Sequence, residues 1–153
     1  MKKINDLLIK AVNLHQKNKI DDAEKIYKKI LKLNSKEPTA LRHLGMIYHT
    51  KGYLDKALNF FHKALDQSKS MPDCYNNIGS IYFDLDQDSM AEEWFKKSLL
   101  YNNNYTPALN NLAQLYIKKL DKENALIFAN KSKRIQPLNP FTLNAYALAL
   151  LIN

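Results

Sequence analysis

"YNNIGSIYFD", residues 75–84, sets two adjacent asparagines inside a stretch that otherwise has the apolar spacing of a helix. Asparagine is a poor residue for a helix interior, so its doubling asks for a reason. The stretch also returns. "LNNLAQLYIK" stands at 109–118 and "LRHLGMIYHT" at 41–50, each 34 residues from its neighbour. Self-similarity at a fixed period of this size marks an array of repeated units, and it decides the fold before any local motif does.

In blocks of 34 beginning at Ile4, Pro38, Pro72, Thr106 and Pro140, the chain aligns without insertion or deletion. Four full units result, 4–37, 38–71, 72–105 and 106–139, with a partial unit over 140–153, all read as one domain spanning 1–153. The seventh, eighth and eleventh places hold Leu44-Gly45-Tyr48, Ile78-Gly79-Tyr82 and Leu112-Ala113-Tyr116, with Lys10-Ala11-Leu14 and Tyr146-Ala147-Leu150 at the ends. The twentieth and twenty-fourth hold Ala23-Tyr27, Ala57-Phe61, Ala91-Phe95 and Ala125-Ala129. Large apolar residues three or four apart make one face of a helix, and the small residue beside them lets a second helix approach closely.

Each unit therefore reads as helix, short turn, helix and link. Asn18, Gly52 and Asp86 mark the turns, being residue types that tolerate a left-handed backbone, whereas Leu120 breaks that rule. Asp21, Asp55 and Ser89 are expected to cap the second helices, Ser89 with Glu92 at the spacing of a capping box. Pro38, Pro72 and Pro140 are expected to open first helices, where a missing amide hydrogen does no harm. No run alternates in the two-residue period of a strand, and Gly (3) and Pro (5) are scarce, so the fold class is all-α.

This pattern resembles the tetratricopeptide repeat (TPR) family over essentially the whole chain, most closely at 38–105. The resemblance implies a right-handed superhelical solenoid of four full repeats plus a final single helix, with the first helix of each unit lining a concave groove. It also implies a non-catalytic scaffold that holds an extended peptide or protein segment. The second, fifth, sixth, ninth, twelfth and thirteenth places would face that groove, so Arg42, His43, Met46, His49, Asn76, Asn77, Ser80, Phe83, Asn110, Asn111, Gln114 and Asn144 are the expected partner contacts, with Asp84 and Ile117 beside them. An asparagine amide offers two donors and an acceptor, and so can bond a peptide backbone in either sense. The family uses asparagine at the sixth place in this way, which carries over to Asn77 and Asn111, while His43 and Ala145 depart from it. The competing reading is that these asparagines are solvated or bond between neighbouring helices. The carboxylate clamp of chaperone-binding TPR proteins is not met: Arg42 and Asn77 fit, but Met46, Pro107 and Asn111 fill its remaining places.

Composition narrows the classes further. The net charge of +8 is spread through every unit in short pairs such as Lys28-Lys29, Lys96-Lys97 and Lys118-Lys119, which reads as a solvated face and places nucleic-acid binding third among the readings. No phosphate loop, nucleophile elbow or metal-protease motif occurs, and His15, His43, His49 and His62 include no pair three or four apart. Neither an enzyme nor a cofactor or metal site is expected. Cys74 reads as a packing residue and Trp94 as packing between units. The first residues fit neither a secretory signal nor a spanning helix, so a cytoplasmic protein without membrane insertion is expected.

Both ends carry apolar faces. Leu8, Ile9 and Val12 suggest a contact patch, and Ala145, Leu148, Leu151 and Ile152 form a flank that would serve as an imperfect cap, a homodimer surface or the junction to a following domain. "AVNLHQKNKIDDAEKIYKKIL", followed by "ALRHLGMIY", is similar to the opening of bacterial proteins in which TPR units precede a glycosyltransferase, sulfotransferase or methyltransferase domain. The alternative to a free adaptor is therefore a substrate-recognition arm of such an enzyme.

Overall fold

The computed structural model describes residues 2–152, so Met1 and Asn153, at the ends of the block reading, lie outside the described residues. Among the described residues every regular element is an α-helix. The chain divides into two compact units, Met1–Ser70 and Met71–Asn153. The first holds α1 (Lys2–Gln16), α2 (Ile20–Leu33), α3 (Pro38–Thr50) and α4 (Leu54–Gln67), each packed on the next. The second holds α5 (Pro72–Asp84), α6 (Asp88–Tyr101), α7 (Thr106–Lys118), α8 (Lys122–Ile135) and α9 (Pro140–Leu150).

Each three-residue turn between paired helices is built alike. Asn18 (φ 58°), Gly52 (φ 78°), Asp86 (φ 57°) and Leu120 (φ 57°) all take the left-handed conformation. The amide of the next residue then reaches back to close the helix end: Lys19 donates to the Leu14 carbonyl, Tyr53 to Tyr48, Gln87 to Tyr82 and Asp121 to Tyr116, each at 2.9 Å. Leu120 therefore follows the backbone rule that its side chain disfavours, at a cost of roughly 1–2 kcal/mol.

So short a turn starts the second helix earlier than the capping pattern suggests. The N-cap positions are Lys19, Tyr53 and Gln87, without a side-chain cap, so Asp21, Asp55 and Ser89 lie inside the first turn and do not cap. Asp121 does cap α8, its carboxylate accepting from the Asn124 amide. Pro38, Pro72 and Pro140 stand at the first residue of α3, α5 and α9.

Paired helices interlock through a missing side chain. A Cβ on Gly45 would lie 2.7 Å from the Phe61 ring, and one on Gly79 would lie 2.6 Å from Phe95, closer than carbon atoms pack. Phe61 and Phe95 are fully buried, as are Ala113 and Ala129 at the corresponding places of α7 and α8. There two small residues meet, and Tyr116 stacks on Phe128 beside them (5.6 Å between centroids, 2° between planes). Ala145, Ala149 and Ile152 complete the core of the second unit. Ile152 and Ala145 are thus not part of an open flank, and a self-association surface that includes Ile152 is corrected. Leu148 and Leu151 remain exposed.

The first unit carries a buried polar cluster in its core. His43 stacks on Tyr27 (4.9 Å between centroids, 6° between planes), and His15 lies 5.4 Å from His43. Arg42 Nη2 donates to His43 Nε2 at 2.9 Å, which places the imidazole proton on Nδ1. His43 Nδ1, His15 Nδ1 and the Tyr27 hydroxyl are buried without a partner among the described residues. Burial first, then the charge of Arg42 and the neighbouring His15, pulls the His43 imidazole down to about 3. Burial and Arg42 lower His15 in the same direction, while burial raises the Tyr27 phenol to about 12 against the pull of Arg42.

Two predictions follow from this packing. In Gly79→Ala the helix-propensity gain of about 1 kcal/mol is outweighed by overpacking against Phe95, of order 1–3 kcal/mol, so chemical denaturation should show a net loss; a stabilised variant contradicts the interlock. For the histidines, neither the folded nor the unfolded state is protonated above pH 6.5, where stability is full. Below it the unfolded chain takes up protons that folded His43 refuses until about pH 3, so stability falls with pH, by about 2 kcal/mol at pH 5 for one such group. Thermal melts should show this loss in the wild type and a flatter profile in His43→Asn, and equal wild-type melts at pH 7 and 5 would contradict the cluster.

Candidate functional site

In the second unit the first helices of successive pairs touch one another, α5 against α7 and α7 against α9. Asparagines at the fifth and sixth places of α5 and α7 meet polar side chains across the contacts. Asn111 Nδ2 donates to Asn76 Oδ1 at 2.9 Å and lies 3.3 Å from Ser80 Oγ, whose hydroxyl donates to the Asn76 carbonyl at 3.2 Å. One unit on, Asn110 Nδ2 donates to Thr142 Oγ1 at 3.2 Å, and Thr142 shares a 3.0 Å hydrogen bond with Ser132 Oγ. The doubled asparagines thus divide their work: the first of each pair is buried between helices, and the second stands at the edge.

A cavity of about 230 Å³ opens beside this network. Thr106, Pro107, Asn110, Asn111 and Gln114 of α7 line it, with Gln136 and Asn139 of the α8–α9 link and Phe141 of α9. None of these eight residues is charged. Asn139 holds the link in place, its Oδ1 accepting from the Phe141 and Thr142 amides while its Nδ2 donates to Gln136 Oε1. The Phe141 ring is 73% exposed.

The expected contacts are distributed as follows. Asn111, Gln114 and Asn110 come together at the cavity, and Asn77 lies half-buried on α5, outside the network that ties Asn111 to Asn76 and Ser80. Ser80 is half-buried, and Phe83 lies under Lys118 Nζ, 5.2 Å from the ring centroid. Asn144 and Asp84 are exposed. Asn76 (7% exposed) and Asn110 (8%) are buried by the neighbouring helix, so the expectation that they face a partner as freely as Asn77 does is corrected. In the first unit Arg42, Met46 and His49 are half-buried, and Arg42 also points a guanidinium nitrogen at Met46 Sδ, 3.8 Å away. His43 belongs to the core and is likewise corrected as a surface contact. Gln136 and Asn139 were not anticipated; the signal for Asn139 was its place before Pro140, where an N-cap belongs.

Several lysines are engaged with carboxylates. In the first unit Lys51 Nζ lies 2.7 Å from both Asp21 Oδ1 and Glu24 Oε2. In the second, Lys118 joins Asp86 and Asp88, and Lys119 joins Glu92. Burial opposes the charge of Glu92, but hydrogen bonds from Lys119, Lys96 and the Tyr116 hydroxyl outweigh it and hold the carboxyl down at about 2. Among the described residues no group of three or more His, Cys, Asp or Glu side chains could hold a metal ion, and no helix is long and apolar enough to cross a membrane.

Comparison with known proteins agrees with the helical repeat fold. Tetratricopeptide repeat profiles match residues 40–75, 72–105 and 106–137, which together cover more than half of the 153 residues. No curated protein matches. Among solved structures, Pseudomonas aeruginosa pilF superposes with a TM-score of 0.86 at 16% identity, over 97% of this chain and 68% of that one. A chain of the APC/C hetero-tetramer Cut9-Hcn1 gives 0.85 at 22% identity, over 94% of this chain and 29% of that one. The first TPR of Spaghetti (RPAP3), bound to the HSP90 peptide SRMEEVD, gives 0.69 at 22% identity, over 76% of this chain and 93% of that one. At these identities the structures speak for the fold alone, a TPR solenoid. The repeat profiles make the family plain: this chain belongs to the tetratricopeptide repeat proteins.

Proposed function

We propose that this protein is a non-catalytic scaffold that binds an extended polypeptide segment along α5, α7 and α9 of its second unit. The carrying observation is the uncharged, carboxamide-lined cavity of α7 and α9, with Asn77 one helix away. Carboxamides side by side suit a peptide backbone, whose donors and acceptors alternate and carry no net charge. Asn77 supplies both kinds of group, and Asn111, its Nδ2 committed to Asn76 and Ser80, supplies its Oδ1.

Two features support this over a charge-driven site. No charged side chain lines the cavity, and Lys118 and Lys119 are engaged with carboxylates on the helix surfaces. A neighbour of the same fold holds a peptide, SRMEEVD, that is rich in acidic residues; the uncharged lining here favours a neutral segment instead.

The two sixth-place asparagines separate binding from stability. Asn77→Ala should weaken binding of a selected peptide by about fivefold, the worth of one net hydrogen bond near 1 kcal/mol, with an unchanged melting temperature. Asn111→Ala should weaken binding and also lower the melting temperature, because it strands Asn76 and Ser80. Titration calorimetry beside thermal melts checks both, and undiminished affinity in Asn77→Ala contradicts the proposed contact.

A further inference from the structure

α9 repeats the residue pattern of α1 on a side that, in α1, a second helix covers. The fourth, eighth and eleventh places of the first unit hold Leu7, Ala11 and Leu14, and those of the last hold Leu143, Ala147 and Leu150. Residues at these spacings share one side of a helix. In the first unit α2 packs there: Ala11 is fully buried in one core with Ala23 and Tyr27, and Leu7 and Leu14 pack against it. The eighth place is buried in α3, α5 and α7 too, and where it is Gly45 or Gly79 a ring of the paired helix lies directly against it. In α9 this side is open. Ala147 is exposed, Leu143 and Leu150 are 41% and 49% exposed, and Leu151 beside them is 74% exposed. The other side is already used, with Thr142, Ala145 and Ala149 buried and α7 and α8 packed against the helix. No charged side chain occurs in α9, so the open stripe is bare aliphatic surface.

We propose that this side of α9 is a docking site for an amphipathic helix of a partner protein, laid antiparallel to α9 and carrying a small residue followed, four places on, by a large aromatic one. The chain itself argues for that occupant. The Leu-Ala-Leu side of α1 is filled by α2, whose Ala23 and Tyr27 have that spacing and whose three-residue connection to α1 makes the two helices antiparallel. The small residue lets the backbones approach, and the ring supplies the bulk that Ala147 lacks. An extended segment fits less well, because α9 spends its backbone donors and acceptors on its own ladder and offers none on this side. A second copy of α9 would bring two leucines and an alanine but no ring. The site is separate from the peptide cavity, to which α9 contributes Phe141, so it does not rest on the peptide-binding reading.

The probe is the sequence of α2 itself: a blocked peptide of residues 20–33, held helical by a lactam between Asp21 and Lys25, which are both exposed in α2. In fluorescence anisotropy it should bind the wild-type protein, and the same peptide with Tyr27→Ala should bind about tenfold or more weakly. On the protein, Ala147→Glu should weaken binding by a similar factor at an unchanged melting temperature, since Ala147 is exposed and glutamate is a good helix former. Binding that survives Ala147→Glu places the peptide elsewhere, for instance on α1 in exchange for α2, and overturns the inference. So does a peptide that fails to bind, or one that binds equally well without its ring. Sedimentation velocity closes the remaining case: a dimer of the protein abolished by Ala147→Glu overturns the inference and assigns the surface to a second copy.

Discussion

The constraint on which the rest depends is the contact between a residue with no side chain and a buried aromatic ring, Gly45 against Phe61 and Gly79 against Phe95. It fixes how closely two helices of a pair approach, and with the left-handed turn it fixes their register. Once α5 and α6 are locked in this way, α7 can lie against both, and the polar face of α5 meets that of α7. The Asn76–Asn111 hydrogen bond is thus a downstream result of a packing contact made one turn away on the same helix. In the fourth pair, where Ala113 and Ala129 are both small, Tyr116 on Phe128 supplies the aromatic bulk from an adjacent position.

Much of this was legible in the residues because it depends on period alone. The spacing of apolar places gives helices, the prolines give their first residues, and Asn18, Gly52 and Asp86 give the turns. Leu120 shows the limit: its left-handed backbone follows from the register of the array against the preference of its own side chain. The caps were misplaced because a three-residue turn starts the next helix early, which put Asp21, Asp55 and Ser89 two residues past the N-cap.

The site was legible by place, less so by role. Asn76 and Asn77 are neighbours in sequence and about 100° apart around the helix, so one falls under the adjacent helix and the other does not. Which one does is a property of the helix beside it, and a single repeat read alone cannot supply that. Gln136 and Asn139 come from a link, where no periodicity points the way. Ile152 follows the helical pattern of an exposed flank yet turns inward, its carbonyl held by Lys122 Nζ at 2.6 Å.

Charge plays a secondary part. The same two places, the fourteenth and the twenty-first, join Lys51 to Glu24 in the first unit and Lys119 to Glu92 in the second. Exposed pairs of this kind contribute little individually, but they occupy cations that would otherwise make the helix surfaces more strongly basic. The side that remains open around α7 and α9 is neutral, and its selectivity rests on hydrogen-bond geometry. The most direct measurement is a proton–nitrogen correlation spectrum of the labelled protein's side-chain amides during titration with a bound peptide. The account predicts shifts of the Asn77, Asn111 and Gln114 amide pairs at saturation. Shifts confined to other residues, with these three unmoved, would contradict it.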